Sequence, residues 1–278
     1  MLNRWKSRVA SGLNYSYLIV CSTIAIFPLL WIILSSVKQT GEMTSNPTAF
    51  WPQSFTLSNF RHVLDGLGFA NNIVNSFVIS FASTAIAIAV SALGAYGVAR
   101  FFPKFGKLMT RSLVITYMFP PILLAIPYSI ILGKLGLVNT RMGLVLVYLS
   151  FSIPYAMWLL VGFFETVSVS LEEAARLDGA SNFQVFFRVS VPIILPGIVA
   201  TAIYTFINTW NEFLYALVFI NSSSKMPVSV ALKSLEGVEI LDWGAMMAAS
   251  AVVVVPSIVF FIIIQGKIVA GLAEGSDK

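Results

Sequence analysis

Long stretches without a single charged side chain dominate this sequence. None occurs over residues 9–37, 66–99, 112–133, 142–164 or 243–266, and 189–224 contains only Glu212. A helix rising 1.5 Å per residue needs about 20 apolar residues to cross a hydrocarbon layer. The runs predict six membrane helices, at about 15–36, 72–99, 112–133, 142–164, 196–220 and 243–266. Pro120, Pro121 and Pro127 break the third of these, so a kink or unwound turn is expected there. The expected fold is all-α, one integral membrane domain.

Composition closes the other routes. The chain of 278 residues is 58% hydrophobic and 10% charged, with a mean hydropathy of +0.87. Soluble domains run at about 45–50% and 25%, so too little polar sequence exists here to coat a soluble core. Disorder is excluded by the same figures, since it needs low hydrophobicity and high charge. The net charge of +5 fits basic loops facing an anionic leaflet, with no nucleic acid implied. One cysteine, Cys21, permits no intrachain disulfide, and with the single His62 it cannot build a His/Cys zinc site. No metal site and no catalytic constellation is expected. Gly106-Lys107 lacks the upstream glycine of a phosphate-cradling loop, so the chain is not expected to hydrolyse ATP itself. The first run is long and lacks a small-residue cleavage site, which argues against a signal peptide.

Lys and Arg set the orientation. With the N-terminus inside, the cytoplasmic segments hold Arg4, Lys6, Arg8, Arg100, Lys104, Lys107, Arg111, Arg176, Arg188, Lys267 and Lys278. The opposite side holds Lys38, Arg61, Lys134, Arg141, Lys225 and Lys233. Both termini are then cytoplasmic. Segment 38–71 is external, with a short helix expected over 58–65. Segment 221–243 is also external and opens on a flexible Asn-Ser-Ser-Ser run, while 165–195 is internal.

That internal segment carries the strongest local signals. Ser170 with Glu173, and Ser181 with Gln184, read as two capping boxes that start helices at Leu171 and Asn182. Gly179 supplies the left-handed residue that ends the first helix. Ala174 and Ala175 permit close approach of another surface, and Glu172, Glu173 and Asp178 are expected to form a charged rim. Phe183, Phe186 and Phe187 give the second helix an apolar face running into Pro192 and Pro196. The expectation is a helix–glycine–helix hairpin that serves as a docking knob.

The residues Glu173-Ala174-Ala175, then Gly179, then Val189-Ser190-Val191-Pro192 resemble the signature loop of permease subunits in bacterial ATP-binding-cassette importers. Asp178-Gly179-Ala180 adds to the match. Trp210-Asn211-Glu212-Phe213 and the stretch from Gln265 to Leu272 resemble the carbohydrate-uptake branch, although the last residues, 273–278, depart from its usual tail. The resemblance implies a type I importer permease fold, with an N-terminal segment (1–70), a permease core (71–267) and a cytoplasmic tail (268–278). It implies a site in the bacterial cytoplasmic (inner) membrane and four kinds of partner: the bilayer, a second permease subunit, two ATP-binding subunits and an extracytoplasmic solute-binding protein. ATP and Mg would be bound by the ATPase partners and no cofactor by this chain. It implies an ATPase-coupling role for Glu172, Glu173, Ala174, Ala175, Asp178 and Gly179, and a sugar or oligosaccharide as solute. A glycerol-phosphate or polyol importer of the same branch and a stand-alone ion-coupled carrier are the alternatives.

Glu212 is the one acidic residue well inside a span, and such a group is expensive unless it faces protein or water. Asn208 lies one turn earlier and Asn211 beside it, which predicts a polar patch on one helix face, either on the translocation path or at a subunit seam. Helix–helix glue is the competing reading. Tyr148, Tyr155 and Trp158 are expected to be packing side chains.

Overall fold

The computed structural model describes residues 2–102, 118–237 and 242–275, together with positions 106, 108, 109, 112, 113 and 115. Lys104, Lys107, Arg111 and Lys278 of the orientation argument, parts of the third span and external segment, and the end of the tail lie outside the described residues.

Among the described residues every regular element is helical. The order is α1 (Leu2–Ser36), α2 (Thr40–Ser45), α3 (Ser58–Arg61, continued by a π turn over His62–Gly66), α4 (Phe69–Arg100) and α5 (Pro121–Lys134). Then come α6 (Arg141–Thr166), α7 (Val169–Leu177), α8 (Asn182–Val185, continued by a π turn over Phe186–Ser190), α9 (Val191–Ile193) and α10 (Leu195–Trp210). The chain ends with α11 (Leu214–Phe219), α12 (Val228–Ser234) and α13 (Trp243–Gly275). Segment Asn14–Ser36 of α1, α4 and α6 are each long and apolar enough to cross a membrane. Two further apolar helices, Pro121–Lys134 and Trp243–Val259, are shorter, and Asn182–Ile193 meets Leu195–Trp210 at a 77° bend.

The departures from the expected helices have local causes. α5 starts only at Pro121, because neither Pro120 nor Pro121 has an amide to donate to a preceding turn. The fifth expected span, 196–220, is two helices. α10 stops at Trp210, residues 211–213 are non-helical, and α11 resumes at Leu214. Asn208 and Glu212 therefore do not share a helix face as expected; they lie on either side of a helix end.

The chain divides into two compact units, Met1–Ala70 with Leu232–Val255, and Asn71–Ala231 with Pro256–Lys278. In the first, the carbonyls left over at the end of α1 are taken up by one side chain. Asn59 Nδ2 donates to Ser36 O at 3.0 Å and to Lys38 O at 2.7 Å. Lys38 is buried, with its ammonium donating to Ala49 O and lying 5.2 Å from the Trp31 ring centroid. His62 is a surface residue, 3.8 Å from the Asp242 carboxylate, and Cys21 is exposed among the apolar side chains of α1.

The second unit has two buried clusters. One joins Ile79 of α4, Leu144 and Tyr148 of α6, and Tyr215 and Phe219 of α11. The other joins Ala92, Ala95 and Tyr96 of α4, Met157, Leu160 and Phe164 of α6, and Phe186. Lipid tails are as apolar as leucine, so these helices are held by close packing and hydrogen bonds more than by escape from water. Gly197 shows how close: a Cβ there would stand 2.6–2.8 Å from ring atoms of Phe163, where α10 crosses α6. Gly197→Val is therefore expected to cost about 1–3 kcal/mol by overpacking. Thermal unfolding of the detergent-solubilised protein should show a lowered midpoint, and an unchanged one would contradict the close approach.

Candidate functional site

The connector between α6 and α10 forms the expected hairpin, with one cap corrected. Ser181 Oγ accepts from Gln184 N at 3.3 Å while Ser181 N donates to Gln184 Oε1 at 2.8 Å, so the second capping box is complete. The first is not. α7 begins at Val169, preceded by the extended residue Ser168, and Ser170 lies within the helix with its hydroxyl on Ser168 Oγ. The helix starts earlier because Ser168 already has the extended backbone that a helix entry requires. At the other end Gly179 has φ +87°, Gly179 N donates to Arg176 O and Ala180 N to Ala175 O, each at 3.0 Å. These two bonds are a Schellman turn, which consumes the last carbonyls of α7 and reverses the chain.

The predicted charged rim separates into two roles. Glu173, Ala174, Asp178 and Gly179 are exposed and Ala175 is half-buried, so they form an outward surface together with Leu177, which is 90% exposed. Glu172 points the other way and is fully buried. Helical spacing puts consecutive residues about 100° apart, which is why adjacent glutamates face opposite environments. Glu172 Oε2 accepts from Arg100 Nε at 2.9 Å and lies 3.4 Å from Arg176 Nη2; Glu172 Oε1 accepts from Ser190 Oγ at 2.7 Å. Arg100, the last residue of α4, also donates from Nη2 to Phe164 O at 2.9 Å and Val167 O at 2.8 Å, carbonyls at the end of α6. Tyr96 completes the pocket, its ring 5.4 Å from that of Phe164 and 5.1 Å from that of Phe186. Removing one partner of a buried pair costs about 3–5 kcal/mol because the other charge is stranded. Phe186 is accordingly part of the core, and only Phe183 and Phe187 of the expected apolar face remain outside.

The second group gathers around the break between α10 and α11. Glu212 Oε1 accepts from Tyr215 N at 2.8 Å, and Oε2 from Ala216 N at 3.1 Å and Tyr148 Oη at 2.7 Å. Its carbonyl accepts from Ser229 Oγ at 2.7 Å. The carboxylate thus caps the first amides of α11, where the helix dipole also favours an anion. Asn208 donates to Tyr204 O at 3.0 Å. Asn208 and Glu212 line one cavity of about 460 Å³ with Phe119, Tyr128, Phe151 and Tyr215 among its walls. Asn211 is exposed beside the break and is not among the lining residues. Tyr155 stacks on Tyr204 at 4.3 Å, as a packing side chain should.

Sequence reasoning missed Tyr148, Arg100, Ser190 and Asn139. Tyr148 was read as packing, yet its hydroxyl is what meets Glu212. Arg100 was counted only as a topological charge. Its position at the end of a charge-free run, with two adjacent glutamates later in the chain, was the available hint. Asn139, at φ +56°, accepts on Oδ1 from Asn221 N at 3.0 Å and Ser222 N at 3.1 Å, and its carbonyl accepts from Lys225 Nζ at 2.9 Å. Asn72 and Asn75 of α4 donate to the carbonyls of Ser223, Ser224 and Met226. The Asn-Ser-Ser-Ser run is therefore a pinned turn, contrary to the expected flexible one: three asparagine side chains supply the partners its backbone would otherwise seek from water.

Among the described residues, lipid-compatible helices, a broken span and a capped interhelical hairpin are what a membrane transport component requires. Residues 85–273 match the family described as binding-protein-dependent transport system inner membrane component, and the chain belongs to it. It is 37% identical over 257 residues to the trehalose transport system permease of Mycobacterium tuberculosis, covering 91% of this chain and 93% of that one. It is 33% identical over 253 residues to the sulfoquinovosyl glycerol transport system permease of Agrobacterium fabrum, with 91% and 89% covered. The trehalose/maltose transport system permease of Thermococcus litoralis is 32% identical over 264 residues, with 94% of each covered. Among solved structures, a bacterial ABC transporter involved in import of the acidic polysaccharide alginate superposes with a TM-score of 0.77 at 22% identity, covering 94% of this chain and 97% of that one. The protein is thus a multi-pass inner-membrane component of a transport system that depends on a binding protein.

The geometry at Glu212 ranks two substitutions. Glu212→Leu leaves Tyr148 Oη and the amides of Tyr215 and Ala216 without their acceptor, at about 1–3 kcal/mol for each unpaired group. Glu212→Gln keeps one acceptor oxygen and is expected to lower the thermal midpoint of the solubilised protein less than Leu does. Equal losses would mean that the charge, which both variants remove, holds the break, and the reverse order would mean that the acceptor geometry does not.

Proposed function

We propose that this chain is the membrane-spanning permease subunit of an ATP-driven importer that carries a sugar or oligosaccharide across the cytoplasmic membrane by alternating access. The observation that carries the reading is the outward face of α7 and its closing turn: Glu173 and Ala174 stand exposed on the helix, and Asp178 and Gly179 in the turn that ends it. The ATPase-coupling set of Glu172, Glu173, Ala174, Ala175, Asp178 and Gly179 is then divided: Glu172 braces the helix from within and the rest meet an ATP-binding subunit. In this reading the chain crosses the bilayer six times, with α5 and the broken α10–α11 pair each in one crossing, and both termini are cytoplasmic. A second permease subunit and two ATP-binding subunits complete the complex, and the ATPases hold ATP and Mg. The solute-binding protein docks on the external segment 221–243.

The carbohydrate assignment is supported by relatives named for trehalose, sulfoquinovosyl glycerol and trehalose/maltose transport. The cavity beside Glu212 suits it, since aromatic walls with a few polar groups match the two faces of a sugar ring, and its volume lies within the range of about 300–1,000 Å³ usual for small-molecule sites. Asn208 and Glu212 on the cavity and Asn211 at its margin are assigned to the translocation path. ATP shifts the complex between its inward- and outward-open states only by binding one of them more tightly, so the docking face has to reposition with the ATPases.

Gly179→Val tests the reading. A β-branched side chain at φ +87° costs roughly 1–2 kcal/mol or more and should unmake the turn that presents α7. An affinity-tagged wild-type chain should copurify an ATP-binding subunit and support ATP-dependent sugar uptake in proteoliposomes. The variant should insert normally and lose both. Wild-type copurification and uptake by Gly179→Val would refute the docking assignment.

A further inference from the structure

Four separate elements converge on the one buried carboxylate of Glu172. The carboxylate belongs to α7; Arg100 brings α4; the carbonyls of Phe164 and Val167, held by the same guanidinium, bring the end of α6; and Ser190 brings the turn that leads into α9 and α10. Glu172 and Ser190 are fully buried and Arg100 is only 8% exposed at its side chain, so water cannot replace any partner while the group stays closed. Every polar group involved has its partner inside the cluster. Separating α7 from α4 or α6 therefore strands a charge in an apolar pocket lined by Tyr96, Phe164 and Phe186. By contrast the opposite face of α7 is free to engage another protein.

We infer that the Glu172–Arg100 pair is the joint that makes α7 move as one body with α4, α6 and the start of α10, so that displacement of the docking face is transmitted to the helices around the cavity. Glu172 and Arg100 are positioning residues: neither touches solute or nucleotide. The inference rests on the importer reading above and adds to it the route by which the force travels. Without the pair, α7 remains docked but pivots about the flanking turns, and the ATPase cycle no longer reaches the cavity. Arg176 secures the last turn of the helix, with Nε donating to Asn182 Oδ1 at 3.0 Å, and does not substitute for Arg100, because its contact with Glu172 is longer and it reaches neither carbonyl of α6.

The test uses the complete importer, purified through this chain in a Cys21→Ser background, with Phe213→Cys as a reporter on the cavity wall. Its rate of labelling by a membrane-impermeant maleimide is measured without nucleotide and after trapping with ATP and vanadate. In the otherwise wild-type complex the rate should change about fivefold or more, the lower end of typical coupling between sites. Glu172→Gln should retain ATPase copurification and lose that nucleotide-linked change. A purely structural role would reduce the amount of complex and leave the change intact in what assembles, which would overturn the joint. Ser190→Ala, which removes one hydrogen bond and leaves the charges paired, should reduce the change if Glu172→Gln does not assemble; an undiminished change in Ser190→Ala would then overturn it. If the wild-type chain copurifies no ATPase, the importer reading itself fails and the joint as a coupling device falls with it.

Discussion

Where a helix ends away from water, its last carbonyls and first amides still need partners, and in this chain side chains supply them. Asn59 takes the carbonyls at the end of α1, Arg100 those at the end of α6, Glu212 the amides at the start of α11, and Asn139 the amides of the turn after it. Asn59, Arg100 and Glu212 are polar where a polar group is costly, while Asn139 is half-buried at the turn it holds. Each is tolerated because leaving the backbone unpaired would cost more. Breaks in the spans, and so the cavity beside one of them, depend on this substitution of side chain for water.

The same requirement explains why the polar residues of the second unit cluster at two levels. Around Glu172 they tie α4, α6, α7 and the turn before α9 together, and around Asn139, Asn72 and Asn75 they tie the turn after α11 to α4 and to the α5–α6 connection. Between these ends, the helices meet through alanines and aromatic rings, with hydrogen bonds from Tyr148 to Glu212, Tyr128 to Ser150 and Ser91 to Ile153 O. A bundle fastened at its ends in this way can tilt as a body without losing its internal contacts. That property suits alternating access better than a bundle pinned along its length.

Much of this was legible in the sequence. Absence of charge located the long apolar helices, the Ser181–Gln184 spacing located the second cap, and Gly179 located the turn. What was not legible depended on three-dimensional pairing. Ser170 with Glu173 fits the capping pattern as well as Ser181 does, but the pattern cannot say which serine has the extended backbone. Glu172 and Glu173 are chemically identical neighbours, and only the position of Arg100, 72 residues away, decides which faces inward. The break at 211–213 was invisible because Asn and Glu are unexceptional in helices. It exists because Glu212 gains more as a cap, with Tyr148 beside it, than as a helical residue.

The full occupation of Glu212 bears on what can energise this protein. A gradient-driven carrier needs a buried acid that accepts and releases a proton or sheds its partners for a cation during each cycle. Glu212 has three donors aimed at it, two of them backbone amides that cannot rotate away. A proton on Oε2 would have only Tyr148 Oη to donate to, because the two amides have no lone pair to offer. A carboxylate committed in this way serves as a fastening of the break, which fits the importer proposed above better than a carrier driven by titration of this acid.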